Sequence, residues 1–294
     1  MSRGVITKAL SGFYYVSSEG RNYACRARGK FRIDGVSPLV GDDVEIETDG
    51  DKGTLVKVYP RRNHFIRPAV ANVDVLTIMA SGVIPVTDPF LIDRVAVIAE
   101  RAGCDVLICI NKTDLDPGDK LYDIYSKTGY RVIRTSAETG EGKEELLDYI
   151  AGKTCAFTGN SGVGKSSILN VIAPEFDLAV GDVSEKLGRG RHTTRHVELF
   201  DLGGGTFIAD TPGFASFDFE RMEPIFKDEM QYLFREFKPF IGKCRFNDCA
   251  HIREPGCVVL EAVEAGVIDP SRHASYVRLY EQAAQLNEWE YDHK

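Results

Sequence analysis

The sequence predicts three domains of different classes: a five-stranded β-barrel over residues 1–68, an α/β domain with a mainly parallel sheet over residues 69–222, and a mainly helical, metal-stapled domain over residues 223–294. Three observations lead there. Short β-rich runs separated by turns fill residues 4–59, strands and helices alternate from residue 73 onward, and three cysteines and a histidine crowd into residues 244–257. A chain of 294 residues accommodates two or three domains of ~100–200 residues each.

An apolar fraction of 43% and a charged fraction of 27% are ordinary for a globular protein, and no apolar run approaches the ~20 residues of a membrane span. Residues 1–7 carry no leader-like apolar segment, so the expected location is cytoplasmic, with no membrane partner and a monomeric state. Cys25, Cys104, Cys109 and Cys155 sit singly in apolar runs and read as reduced core residues. The net charge of −8 argues against a general polyanion binder. Its distribution is uneven, however: residues 1–68 hold 12 Lys/Arg against 8 Asp/Glu. Contact with nucleic acid should therefore begin in the amino-terminal domain.

The barrel strands are expected over residues 5–10, 13–17, 22–27, 43–48 and 54–59. Five short strands suit an OB-fold, which commonly binds oligonucleotides. Tyr14, Tyr15, Tyr23 and Phe31 are interleaved with Arg21, Arg26, Arg28, Lys30 and Arg32. Such a set can stack bases and hold phosphates, or it can be a barrel core with a solvated basic rim. Residues 61–68 read as a basic linker interrupted by Pro68.

Past the linker, residues 73–79 suit a strand, and residues 88–102 have helical spacing with Asp88-Pro89 as cap and first turn. A second strand over residues 105–110 ends in Asn111-Lys112-Thr113-Asp114, and a third over residues 130–133 leads into Thr135-Ser136-Ala137. Next comes Gly159-Asn160-Ser161-Gly162-Val163-Gly164-Lys165-Ser166, followed by Ser167 and a helix-like run to residue 172. This matches G-x-x-x-x-G-K-[ST] in the strand–loop–helix setting that a phosphate-binding loop needs. Its backbone N–H groups can cradle phosphate oxygens, Lys165 can reach the β- and γ-phosphates, and the Ser166 hydroxyl can hold Mg²⁺.

Asn-Lys-x-Asp supplies guanine chemistry: the Asp114 carboxylate can accept both N1–H and the exocyclic amine, a donor pair that adenine does not offer. Thr135-Ser136-Ala137 resembles the second guanine loop of GTPases, in which the Ala137 N–H would meet O6. A strand over residues 206–209 ends in Asp210-Thr211-Pro212-Gly213, where Asp210 can hold the Mg²⁺ shell and the Gly213 N–H can meet a γ-phosphate. The basic, Gly-containing stretch 184–195 has the place and composition of a switch, in which either Thr193 or Thr194 supplies a metal-directed hydroxyl. The order is unusual, because the base motifs at Asn111 and Ser136 precede the phosphate loop. The domain is circularly permuted, which a sheet tolerates when the old termini join and a surface connection opens.

Residues 223–237 have helical spacing, and Cys244, Cys249, His251 and Cys257 follow. Three thiolates and an imidazole meet the tetrahedral preference of structural Zn²⁺, although clustered reduced cysteines would give the same pattern. Helices over residues 258–265 and 273–289 offer little apolar surface for a core without such a staple.

Barrel, permuted nucleotide domain and Cys₃His tail together resemble the RsgA (YjeQ) family of ribosome-small-subunit-dependent GTPases along nearly the whole chain. The resemblance implies an OB-fold, a circularly permuted P-loop GTPase domain and a zinc domain. It implies GTP hydrolysis in late maturation of the small ribosomal subunit, with the subunit and its rRNA as partners and GTP/GDP, Mg²⁺ and one Zn²⁺ as ligands. Asn111, Lys112 and Asp114 would read guanine, residues 159–167 the phosphates, and Cys244, Cys249, His251 and Cys257 the zinc. A different reading is a nucleotide-gated RNA-binding assembly protein in which hydrolysis is incidental. Phe214 stands where many Ras-like enzymes place a water-orienting Gln, and His192 in the switch is the candidate to take that task. It can equally contact RNA or solvent.

An amide at position 114 would turn one acceptor into a donor. Asp114→Asn is therefore expected to cost ~2–4 kcal/mol in GTP affinity and to favour xanthine nucleotides. Calorimetry showing unchanged GTP binding would remove Asp114 from the site.

Overall fold

The computed structural model describes residues 1–29, 31, 37–66, 69–174, 197–210 and 224–286. Strands β1 (Ser2–Leu10), β2 (Phe13–Ser18), β3 (Arg21–Ala27), β4 (Asp43–Asp49) and β5 (Lys52–Val58) close a barrel in the order β1-β2-β3-β5-β4, with β4 returning to β1. Alternation along the strands turns Ile6, Val16, Cys25, Val44, Ile46 and Leu55 into a fully buried interior. Tyr14, Tyr23 and Phe31 pack against that interior. All three are only partly buried there. Phe13 faces outward beneath the Arg26 guanidinium, 4.7 Å from the ring centre, and Tyr15 shares its side of β2. Lys30 and Arg32 lie outside the described residues.

Where composition suggests a linker, the described chain forms a clasp. β6 (His64–Ile66) pairs antiparallel with β7 (Ala69–Ala71). Arg61 donates to both oxygens of Asp42 at 2.7 and 2.8 Å and to the Ser37 carbonyl at 2.6 Å. Asp42 is fully buried, so this arginine neutralises an interior carboxylate instead of waiting for a phosphate. Arg62 pairs with Asp74 and donates to the Asn72 carbonyl. The Asn63 amide both donates to and accepts from the Val73 backbone, and Asn72 donates to the Gly41 carbonyl at 3.0 Å. Within the expected basic linker, Arg61 thus ties the chain back to the barrel and Arg62 ties it to the next domain.

That domain contains β8 (Val75–Ser81), α1 (Pro89–Ala102), β9 (Asp105–Asn111), α2 (Asp119–Tyr125), β10 (Arg131–Arg134), α3 (Lys143–Ile150), β11 (Thr154–Gly159), α4 (Lys165–Ile172), β12 (Glu198–Gly203) and β13 (Thr206–Asp210). The sheet order is β10-β9-β8-β11-β13-β12, with parallel neighbours except for β12. Every residue of β8 is buried, as a strand covered on both faces requires. Asp88 caps α1 by accepting from the Phe90 N–H, Pro89 occupies the first turn, and Gly103 ends the helix in the left-handed region. β12 alternates polar and apolar residues too weakly to stand out in the sequence. It pairs with β13 and also meets β1 at Lys8 opposite Glu198, where the side chains bond at 2.8 Å. Ser17 adds a hydrogen bond to Asp201 at 2.9 Å. Barrel and sheet are therefore continuous through one strand pairing.

The helix expected over residues 223–237 is instead α5 (Lys227–Met230) followed by 3-10 turns at Gln231–Leu233 and Arg235–Phe237. Phe234 takes an extended conformation between the turns, and its fully buried ring interrupts the helix to reach the core. α6 (Val258–Glu264) and α7 (Pro270–Ala283) complete the described tail. Phe234, Phe237, Val259, Tyr276 and Leu279 form a buried cluster that also includes Val97 of α1. The tail has more apolar core than its sequence suggested, because it borrows a face of α1. On the same helix Asp93 meets Arg272 at 2.6 Å, both fully buried, while Glu236 accepts from Arg272 at 2.6 and 3.1 Å and Tyr125 donates to Asp93 at 2.8 Å.

Removing one partner of such a buried ion cluster strands the others without compensation. Arg272→Met is expected to lower stability by ~3–5 kcal/mol, measured by urea unfolding. A loss no larger than that of a surface substitution would show that the cluster does not hold tail and α1 together.

Candidate nucleotide site and metal centre

The parallel register brings strand carboxyl ends together: Ser81 lies opposite Asn111, and Met79 opposite Gly159. Open α/β sheets bind ligands at this edge. The phosphate loop leaves β11 at Gly159 and enters α4 after Gly164. Gly159 is required because a Cβ there would stand 2.6 Å from the Met79 carbonyl. Gly164 has φ +94°, and a Cβ would stand 2.2 Å from the Asn111 amide nitrogen. Gly164 at the N-cap brings no side chain to the start of α4, the setting in which a helix amino terminus can face an anion. Val163 is fully buried and anchors the loop in the sheet's second apolar cluster.

The Asn111 amide ties the loops together. Its nitrogen donates to the Val163 carbonyl at 2.9 Å, and its oxygen accepts from the Thr135 hydroxyl at 3.2 Å. Ser136 donates to one Asp114 oxygen at 2.6 Å, while its own oxygen accepts from the Glu138 and Thr139 N–H groups. One Asp114 oxygen is thereby fixed, and the carboxylate retains acceptor capacity for a donor pair. Lys112, at φ +66°, donates to the Ile84 carbonyl at 2.8 Å. Thr113 donates toward Glu141, 2.6 Å away.

Asn111, Lys112, Thr113, Asp114, Ser136 and Ala137 thus come to the same sheet edge as residues 159–167. Asp210 closes β13 at that edge. Thr211, Pro212, Gly213 and Phe214 lie outside the described residues, as do His192, Thr193 and Thr194. Nothing in the sequence marks the Thr135 hydroxyl, Glu141 or the Ile84 carbonyl for these contacts by residue type alone. Only Thr135 carries a signal, by standing directly before Ser136.

In the tail, the ligand atoms of Cys244, Cys249, His251 and Cys257 all lie within 4.8 Å of one another. The Cys244 and Cys257 sulfurs are 3.9 Å apart, and His251 Nδ1 lies 3.5 and 3.4 Å from them. A tetrahedral ion with Zn–S of ~2.3 Å and Zn–N of ~2.0 Å spaces its ligands at about 3.5–3.8 Å. The donor set fits one such ion. Burial pushes the Cys249 thiol up to about 12, raises Cys257, and lowers His251. Burial thus favours the imidazole form whose lone pair could ligate, and a metal ion would take the sulfurs as thiolates. Glu254 braces the loop by accepting from the Ala250, Ile252 and Arg253 N–H groups at 2.9–3.0 Å. Tyr276 donates to the Ala250 carbonyl at 2.7 Å.

A closed barrel, a phosphate loop behind two base loops, and a Cys₃His tail define a circularly permuted GTP hydrolase. Family models agree: RsgA GTPase matches residues 58–220 and RsgA N-terminal domain residues 3–56. The small ribosomal subunit biogenesis GTPase RsgA of Caldanaerobacter subterraneus subsp. tengcongensis is 43% identical, covering 98% of both chains. Among solved structures, YjeQ from Thermotoga maritima superposes with a TM-score of 0.82 at 35% identity, covering 97% of this chain and 99% of that one. YloQ, described as a circularly permuted GTPase, gives 0.80 at 36%, covering 96% and 95%. The chain belongs to the RsgA GTPase family. No helix among the described residues is long and apolar enough to cross a membrane.

Gly164→Ala is expected to displace the Asn111 amide and so cut its tie to Val163. GTP affinity should fall about tenfold or more, the scale of one buried hydrogen bond. Titration with a fluorescent GTP analogue checks this, and wild-type affinity would show that the tie does not shape the site.

Proposed function

We propose that this protein hydrolyses GTP while acting in maturation of the small ribosomal subunit, the role named for its relatives. The observation that carries the reading is the Asn111 bridge, which holds a guanine-type acceptor loop at fixed distance from a phosphate loop. Asn111, Lys112 and Asp114 read the base, with Ala137 directed to O6. Residues 159–167 hold the phosphates. Ser166, Asp210 and one of Thr193 or Thr194 hold Mg²⁺, which when bound neutralises charge between the β- and γ-phosphates. Gly213 meets the γ-phosphate.

Cys244, Cys249, His251 and Cys257 hold one structural Zn²⁺, a closed set with no position open for catalysis. The outward Phe13, Tyr15 and Arg26 give the barrel a surface suited to rRNA. With Phe214 apolar, His192 positions the attacking water once the switch orders.

GTP turnover measured with and without purified small subunits tests the function: strong stimulation is expected, and none would leave hydrolysis incidental to binding. His192→Ala should lower stimulated kcat by roughly 10²-fold with GTP affinity nearly unchanged. Wild-type stimulated turnover in that variant would move the water-positioning role elsewhere.

A further inference from the structure

His251 faces two ways. Its Nδ1 lies between the Cys244 and Cys257 sulfurs, and its Nε2 stands 3.0 Å from the Gln231 side-chain oxygen. A neutral imidazole carries one N–H, and only the nitrogen without it has a lone pair for a metal. An acceptor fixed at Nε2 holds the proton there and aims the Nδ1 lone pair at the sulfurs. The nearby carboxylate, Glu254, is occupied by three backbone N–H groups and does not take this place. The backbone of His251 is also pinned, at φ +59° with its carbonyl 2.7 Å from His273 Nε2. The ring therefore has a set position, and the remaining choice is which nitrogen is protonated.

We propose that Gln231 is the positioning residue of the metal centre, the acceptor that commits His251 to ligation through Nδ1. The assignment rests on the zinc reading of the Cys₃His cluster. Gln231 lies outside the 244–257 cluster, in the first 3-10 turn after α5. That segment is held to α1 by the Glu229 contact with Arg101 at 3.3 Å. A ligand's orientation is thus set from the first part of the tail, outside the cluster itself. Partners of this kind typically change metal retention by ~10–100-fold when removed.

The test uses the zinc-loaded full chain and the rate at which a chelating dye in excess strips the metal. Gln231→Met, nearly isosteric but without a strong acceptor, should release zinc ~10–100-fold faster than wild type. Gln231→Glu, which restores an acceptor, should release it no faster than wild type. With Co²⁺ in place of zinc, the visible absorption bands should shift in Gln231→Met and not in Gln231→Glu. Wild-type release from Gln231→Met, or equally fast release from both variants, overturns the assignment. If Gln231→Met does not fold, the Gln231→Glu rate and spectrum decide alone, since loss of metal there contradicts an acceptor role. A wild-type chain that carries no zinc would instead overturn the reading of the cluster, before any variant is compared.

Discussion

One carboxamide sets the geometry of the nucleotide site. Asn111 ends a central strand, and its two polar atoms reach opposite ways, to the Val163 carbonyl and to the Thr135 hydroxyl. A carboxylate could not donate to Val163, and a hydroxyl is too short to span both loops. The glycine at position 164 follows from this demand, because the amide nitrogen fills the space that a Cβ would take. The Ser136 bond to Asp114 then orients the base-reading carboxylate within the same frame. Three loops from different parts of the chain become one rigid edge, which is what electrostatic recognition without reorganisation requires.

Helix α1 is the second organising element. One side supplies Ile92, Val95, Ala96, Ile98 and Ala99 to the large apolar cluster shared with the sheet, while Val97 and Asp93 face the tail. A helix buried on both sides transmits position between the layers that it joins. The tail consequently packs as a continuation of the nucleotide domain. Its metal loop is braced from within by Glu254 and Tyr276 and from the connecting segment by Gln231.

Contiguous motifs were legible in the sequence: the phosphate loop, the Asn111 to Asp114 run, the capping pair Asp88-Pro89 and the clustered metal ligands. Each is local, with its chemistry held in neighbouring residues. Elements whose roles depend on distant partners were not legible. Arg61 and Arg62 read as part of a basic linker because Asp42 and Asp74 become their partners only in the fold. Arg272 meets Asp93 across 179 positions, and Gln231 meets His251 only once the tail has turned back on itself. The same reason hides β12, which takes its place by pairing with β13 and by meeting the barrel at Lys8 and Ser17. The aromatics of the barrel show the converse: composition alone left two uses open, and strand alternation gives Tyr14 and Tyr23 to the interior.

The permuted strand order also bears on how the chain is made. Synthesis delivers the amino-terminal part first, at ~5–20 residues per second, and domains generally fold as units. β8, β9 and β10, with the base loops that follow β9 and β10, are made before β11, the strand that covers the far edge of β8. β1 of the barrel waits longer still, since its partner Glu198 is 190 positions downstream. In an unpermuted order the phosphate loop would come first and could gather nucleotide early. Here the base-reading loops precede the phosphate loop, so the nascent protein cannot hold a nucleotide's phosphates until residues 159–167 have been made, past the middle of the chain.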